Sequence, residues 1–138
     1  MTEQSASNAA QFEPLPCSAI VYRALFKKGW INEDTGGVKA DAFFLRERDL
    51  PSGLSVNIAA TCSPQQCAAN FNGCSAVASL HVGRVRDLGL DVVLDSKTHA
   101  NIKGLPYRED NRAEAERFAG LLAKQSRLIR VKPVKRRR

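Results

Sequence analysis

The chain has 138 residues, of which 43% are hydrophobic and 25% are charged, and its formal net charge at pH 7 is +7. A chain of this length forms one domain that buries roughly two thirds of its unfolded surface, so its stability requires neither disulfides nor a metal ion. No apolar run approaches the ~20 residues of a membrane span, and the polar N-terminus lacks the features of a secretory signal. We therefore expect a cytoplasmic protein with reduced cysteines.

The first half of the chain predicts a disordered arm followed by three strands. Residues 1–16 are polar with little apolar content, and we expect them to be disordered. The β-branched and aromatic stretch 18–26 predicts the first strand, and the Gly-containing stretch 27–40 predicts a long loop with Trp30 folded back onto the body. Residues 41–47 and the alternating stretch 54–60 predict two further strands, joined as a hairpin by a Pro-Ser-Gly turn.

The second half predicts two helices separated by strands. Ser63, Pro64 and Gln66 form a helix-start pattern, so we predict a short helix over 63–71. Asn111 with Glu114 opens the clearest helix, over 112–125. Strands are predicted at 75–82 and 90–95, around a basic connector at 83–89, with 99–105 as a further candidate strand and 127–131 as a candidate edge strand. The order of elements favours one α+β domain over 17–131, with a largely antiparallel sheet of five to six strands and two helices.

Three of the four cysteines lie within thirteen residues, which raises the hypothesis of a structural zinc site. Four residues separate Cys62 from Cys67, and six separate Cys74 from His81. Tetrahedral zinc usually takes pairs of ligands two to four residues apart, so the second pair is loose. The zinc hypothesis uses these three cysteines with His81 or Cys17 as the fourth ligand. The alternative is that the cysteines are small buried residues in the core.

The two histidines indicate a second hypothesis, a small enzyme that acts on a phosphodiester or a nucleotide. His81 lies on a predicted strand and His99 lies in a predicted loop after Asp95, with Arg84 and Arg86 nearby. Two imidazoles can serve as general acid and base, while neighbouring cations stabilise the charge that develops on the phosphate. His99 is the stronger catalytic candidate because functional residues are common in loops.

Arg23 joins these candidates as an anion-holding residue. The Tyr22-Arg23 pair on the first predicted strand resembles the opening motif of ADP-ribosyltransferases and related NAD-consuming toxins. The resemblance implies that Arg23 holds a nucleotide phosphate. It covers only a few residues, and the Glu-x-Glu at Glu114 and Glu116 falls on the predicted last helix, whereas that superfamily has its catalytic glutamate on a late strand.

The positive charge is concentrated in the C-terminal segment. Eight of the 21 basic residues lie between Lys124 and Arg138 with no acidic residue among them, so the remaining chain has thirteen basic and fourteen acidic residues. A tail at 132–138 of this kind attracts polyanions. The function predicted first is therefore a binding protein whose tail contacts nucleic acid or an acidic protein partner, through Lys132, Lys135, Arg136, Arg137 and Arg138. The His-dependent enzyme and a zinc-stabilised interaction module are the two alternatives.

Overall fold

A computed structural model describes residues 14–133 as an α+β fold. Its main sheet has six strands in the order β6-β7-β4-β1-β5-β8, and every neighbouring pair is antiparallel. These strands are β1 Ile20–Ala24, β4 Leu54–Ile58, β5 Ala76–His81, β6 Asp91–Leu94, β7 His99–Lys103 and β8 Arg127–Arg130, while β2 Ile31–Asn32 and β3 Gly37–Val38 form a separate hairpin. The helices are α1 Pro64–Ala69, α2 Val82–Asp87 and α3 Arg112–Gln125. The predicted fold class and the size of the sheet are confirmed.

Alternating side chains give the main sheet two different faces. In β4, Leu54, Val56 and Ile58 are buried while the residues between them are half-buried. The buried face packs against α3 and the segment around Phe43 to form the main core. On the opposite face, α1 packs mainly over β1 and β5, and Cys67 of α1 also contacts the side chain of Asn57 in β4. The polar side chains of β4 and β7 therefore line the part of that face that α1 leaves open.

Both predicted helices start where their capping residues indicate. The Ser63 hydroxyl accepts a hydrogen bond from the Gln66 backbone amide at 3.1 Å, and the Gln66 side chain accepts one from the Ser63 amide at 2.8 Å. The Asn111 side chain accepts from the Glu114 amide at 3.2 Å at the start of α3. These bonds satisfy amides that have no partner within the helix. Within residues 14–133, no helix is both long and apolar enough to cross a membrane.

The predicted strand at 41–47 is wrong, and so is the hairpin that depended on it. Ala40–Phe43 and Glu47–Asp49 are short 3-10 helices. The consecutive residues Ala42 and Phe43 are both buried in the core, whereas a strand at the surface of a core buries every second residue. The neighbours of β4 are instead β1 and β7.

Three smaller differences concern the ends and connections of the predicted elements. Leu15, assigned to the disordered arm, is buried in the main core, and its carbonyl accepts a hydrogen bond from Arg86 Nη1 at 2.7 Å. Residues 1–13 of that arm lie outside the described residues. The connector at 83–89 is largely helical, since it contains most of α2. Trp30 is buried as predicted, although its loop also contains the β2-β3 hairpin.

Candidate functional site

A pocket of about 130 Å³ opens on the polar face of the main sheet, beside the C-terminal end of α1. Ser55 and Asn57 of β4, His99 of β7 and Tyr22 of β1 contribute to its walls. Asn70 and Phe71, which follow α1, and the side chains of Arg23, Phe26 and Arg46 complete its lining. The volume is comparable with a cavity that accommodates one benzene ring, so the pocket admits a small group of a substrate.

Strand register places a serine beside a histidine in this pocket. In the β4-β7 pair, Asn57 lies opposite His99 and Ser55 lies opposite Asn101, so the four side chains share one face. Ser55 is therefore the diagonal neighbour of His99, a position within reach of a side chain. The Ser55 hydroxyl and His99 Nε2 are 2.5 Å apart.

An aspartate completes a chain of hydrogen bonds through the same histidine. Asp95 lies in the turn between β6 and β7, and its Oδ1 is 2.7 Å from His99 Nδ1. Asn101 Nδ2 donates to the other carboxylate oxygen of Asp95 at 3.0 Å. A carboxylate partner favours the proton on Nδ1, which leaves Nε2 as the acceptor for the serine hydroxyl. We refer to Asp95, His99 and Ser55 as the relay.

The relay is accessible from solvent, unlike the polar groups of the core. The side chain of His99 is 30% exposed and that of Asp95 is 48% exposed, and Ser55 is half-buried in the wall of the pocket. A nucleophile and its base in the wall of the pocket, with a carboxylate bonded to the other nitrogen of the base, form the arrangement that activates a serine hydroxyl. The same hydrogen bonds also join β4, β7 and the β6-β7 turn.

Arg23 lies beneath the pocket and holds the strand that carries Ser55. The residue is only 3% exposed, and it donates to the carbonyls of Ala42 at 2.9 Å and Ser55 at 3.1 Å. Its guanidinium carbon is 5.1 Å from the centroid of the Trp30 ring, a cation–π distance. Its Nη2 is buried, with no hydrogen-bond partner in the described part of the chain. Burial, with the like charge of Arg46 as the second cause, lowers the pKa of Arg23 to about 10, so it remains protonated at neutral pH.

A second arginine stands at the rim of the pocket. Arg46 forms an ion pair with Asp49 at 3.1 Å, and its side chain is 34% exposed. Burial acts to raise the pKa of the Asp49 carboxyl, but hydrogen bonds from Arg46 outweigh it and hold that pKa below its usual value. Asp49 pairs with Arg46 and also attracts the guanidinium of Arg23. Two guanidiniums therefore adjoin the pocket, while Asp49 and Asp95 of the relay place two carboxylates near it.

The structure brings two of the three predicted catalytic residues together and separates the third. Arg23 and His99 line the same pocket, but the predicted loop position of His99 is wrong, because His99 is the first residue of β7 and pairs with Asn57 of β4. His81 lies on β5, where it pairs with Ile20 of β1. Because β5 is three strands away from β7 in the sheet, His81 and His99 are separated by at least about 14 Å. His81 lines another surface pocket with Arg84 and Arg86. His81 and His99 therefore do not form the expected acid–base pair.

The predicted zinc site is not assembled. Cys62, Cys67 and Cys74 pack with apolar residues in a small second core, where their thiols contact oxygen acceptors. His81 lies in a different pocket, next to Cys17. Within residues 14–133, no group of three or more histidine, cysteine or acidic side chains is arranged to hold a metal ion. The alternative of small buried residues describes these cysteines correctly.

Burial also lowers the reactivity of Cys62 and Cys67. It raises the pKa of Cys62, and it raises the pKa of Cys67 to about 12, with the neighbouring cysteines as a smaller cause. Both thiols are therefore protonated at neutral pH, and a thiol is a weaker nucleophile than a thiolate.

Sequence patterns did not reveal the roles of Ser55, Asp95 and Arg46. Ser55 occupies a polar position in an alternating strand, which predicts only that it faces away from the core. Asp95 and His99 are four residues apart around a tight turn, a spacing that brings their side chains close once the turn forms. Four of the tail residues predicted to bind nucleic acid, Lys135, Arg136, Arg137 and Arg138, lie outside the described residues.

No protein-family model, no curated protein and no solved structure matches the chain. The chemistry of the pocket itself therefore carries the functional inference.

Proposed function

We propose that the protein cleaves a phosphodiester, with Ser55 as the nucleophile and His99 as the general base and acid. The single observation that carries this proposal is the continuous hydrogen-bonded relay from Asp95 through His99 to Ser55, which opens into a pocket that Arg23 and Arg46 help to line. Relays of this type raise the nucleophilicity of a serine hydroxyl that is otherwise a weak nucleophile at neutral pH.

In the first step, Ser55 Oγ attacks the phosphorus while its proton passes to His99 Nε2. The imidazolium that forms is stabilised by Asp95, which Asn101 holds in position. His99 then gives this proton to the oxygen of the leaving alcohol as the P–O bond breaks, and the rest of the substrate remains esterified to Ser55. In the second step, His99 takes a proton from a water molecule that attacks phosphorus. The serine is released with the proton, and the product is a phosphate monoester.

The charge around the pocket favours an anionic substrate over a neutral ester. Arg46 lies at the rim, where its guanidinium can approach a phosphate oxygen, and Arg23 adds a second positive charge from below. Asp49 is bound by Arg46 and Asp95 by His99, so a substrate phosphate at Arg46 adds a further negative charge next to the guanidinium that is exposed at the pocket. Guanidiniums also stabilise the charge that develops on a phosphoryl group during transfer.

The test is hydrolysis of bis(p-nitrophenyl) phosphate by the full-length chain. We expect Ser55→Ala and His99→Ala to reduce kcat/KM by at least about a hundredfold, because each removes a group that takes part in proton transfer. Asp95→Asn should also lower kcat, since an amide does not favour the tautomer in which Nε2 accepts the serine proton.

Two matched variants control for general effects of these substitutions. Ser79→Ala removes a serine hydroxyl from β5 on the same face of the sheet, and His81→Ala removes the other histidine of the chain. Both should keep wild-type activity to within about twofold, since neither residue lines the pocket. Wild-type activity in Ser55→Ala or His99→Ala would refute the mechanism. Faster turnover of p-nitrophenyl acetate than of the diester would refute the choice of a phosphate substrate.

Charge concentration favours a second candidate function, binding of nucleic acid or of an acidic partner through the C-terminal tail. The unopposed cations in question are Lys132, Lys135, Arg136, Arg137 and Arg138. Five phosphate contacts correspond to a log-log salt slope of roughly −4 to −5 on duplex DNA. The measurement compares random duplex binding by the full chain and by a chain that ends at Val131, over a range of salt. Unchanged affinity and slope after truncation would refute this role.

A further inference from the structure

We propose that Phe71, with Tyr22 beside it, forms a nucleobase subsite, so that the substrate is a nucleotide or a single-stranded nucleic acid. This inference rests on the proposed function only for the position of the scissile phosphate. Its observations are the aromatic rings that line the same pocket as the relay, and neither catalytic step uses them.

Phe71 is fixed in position and partly open to the pocket. The residue follows α1, where its amide donates to the Ala68 carbonyl at 3.0 Å. Its ring stacks on Phe26 with a centroid distance of 4.3 Å and an interplanar angle of 13°. Phe26 in turn meets Trp30 edge-on at 4.7 Å. The ring of Phe71 is therefore held in one orientation, which lowers the entropic cost of stacking a ligand on it.

The arrangement of aromatic rings and cations fits a nucleotide better than a simple phosphate. The Arg46 guanidinium carbon is 5.6 Å from the centroid of Phe26, so a positive charge adjoins the aromatic wall. Proteins that bind single-stranded nucleic acid combine stacking surfaces with cations that contact the backbone in this way. A phosphate without an aromatic ring would leave the wall formed by Tyr22, Phe26 and Phe71 unused.

The size of the pocket restricts the substrate further. At about 130 Å³ the pocket admits one group of about the size of an aromatic ring. With the scissile phosphate at Ser55, the base therefore has to stack on Phe71 at the edge of the pocket, and the rest of the ligand has to lie along the open face of the sheet. A base inside a duplex is stacked on both sides and cannot reach Phe71 without leaving the helix. The subsite therefore selects mononucleotides or unpaired strands over duplexes.

The same aromatic rings also pack against the second core, so a substitution there could act on protein packing as well as on ligand stacking. Tyr22, Phe26 and Phe71 cover the cluster that contains Cys67 and Val77. Substitution by leucine keeps an apolar side chain over this cluster and removes the aromatic face. Phe71→Leu therefore separates stacking on a ligand from packing in the protein. Phe118→Leu is the matched control, because Phe118 is a partly buried phenylalanine on α3 against the main core, outside the pocket.

The experiment compares the affinities of adenosine 5′-monophosphate and ribose 5-phosphate for the full chain by titration calorimetry. The two ligands share sugar and phosphate, so the ratio of their affinities measures the contribution of the base. We expect wild type and Phe118→Leu to prefer the nucleotide by about tenfold or more, and Phe71→Leu to retain a preference of less than about threefold. Phe71→Trp enlarges the stacking face and should keep or increase the wild-type preference for the nucleotide. This variant tests the subsite if Phe71→Leu does not fold.

Equal affinities for the two ligands in wild type would overturn the subsite, as would undetectable binding of both. A preference that survives in Phe71→Leu, or that is lost in Phe71→Trp, would also overturn it. Its failure is distinguishable from failure of the proposed function, because calorimetry needs no turnover. A Phe71-dependent preference without diester cleavage would support the subsite and refute the cleavage mechanism, whereas the reverse pattern would refute the subsite alone.

Discussion

Replacement of Arg23 by methionine should destabilise the fold by about 2 kcal/mol. The substitution leaves the carbonyls of Ala42 and Ser55 without their donors, at about 1–3 kcal/mol for each buried acceptor. It also removes the cation–π contact with Trp30, which adds about 1–2 kcal/mol. In the other direction, methionine relieves the burial of a charge whose pKa falls from 12.5 to about 10, a gain of about 3 kcal/mol.

The measurement is urea unfolding followed by circular dichroism, with the fluorescence of the single tryptophan, Trp30, as a local probe. Arg117→Met is the matched control, because Arg117 forms an exposed ion pair with Glu114 on α3. That control should leave the midpoint of urea unfolding nearly unchanged, since solvent screens an exposed ion pair. If Arg23→Met is as stable as wild type, the guanidinium does not hold the Ser55 strand, and an apolar side chain of similar length can replace it.

Three further predictions concern stability and thiol reactivity. Asp49→Asn should lower the free energy of unfolding by about 1–3 kcal/mol at pH 7. Since the folded-state pKa of Asp49 is depressed, the difference in stability between wild type and variant should disappear as the pH falls below about 4 and through that pKa. A difference that stays constant with pH would contradict a stabilising Asp49 carboxylate. Gly53→Ala should lower the free energy of unfolding by about 2–4 kcal/mol, because Gly53 has φ +109° and a Cβ there would lie 2.6 Å from the Ile102 carbonyl oxygen. Gly120→Ala, with open space around it, should be neutral or stabilising. Equal stabilities of the two variants would refute the clash at Gly53. In native protein, Ellman's reagent should modify Cys17 fast and the other three thiols slowly, and a fast phase that persists in Cys17→Ser would contradict this.

Much of the secondary structure follows from local signals in the sequence. The Ser63 and Asn111 caps mark the starts of α1 and α3. Each side chain accepts a hydrogen bond from the amide three residues further on, so the contact depends only on neighbouring residues. Alternation in 54–60 predicts β4 because strand side chains point to opposite faces. The segment 41–47 resembles a strand in composition, but contact with α3 buries two of its consecutive residues, and that contact is not local.

The candidate site was only half predictable for the same reason. His99 and Arg23 are recognisable as residues of the types that carry catalysis and anion binding. Ser55 gives no such signal, because a serine at a half-exposed strand position is ordinary. Its role depends on the pairing of Asn57 with His99, which sets Ser55 diagonally beside the imidazole. The same strand order places His81 three strands away and removes it from the site.

By itself, the sequence determined the fold class, the capped helices and the alternation that separates a core face from a polar face. These features depend on hydrogen bonds and burial patterns within a few residues. Only the tertiary structure decided which polar residues meet on the open face, and that the cysteines fill a small core. Contacts such as Ser55 with His99 join residues 44 positions apart. Such contacts arise from strand order and register, which are selected by the packing of the whole core, since a shift of one residue would move Ser55 to the buried face.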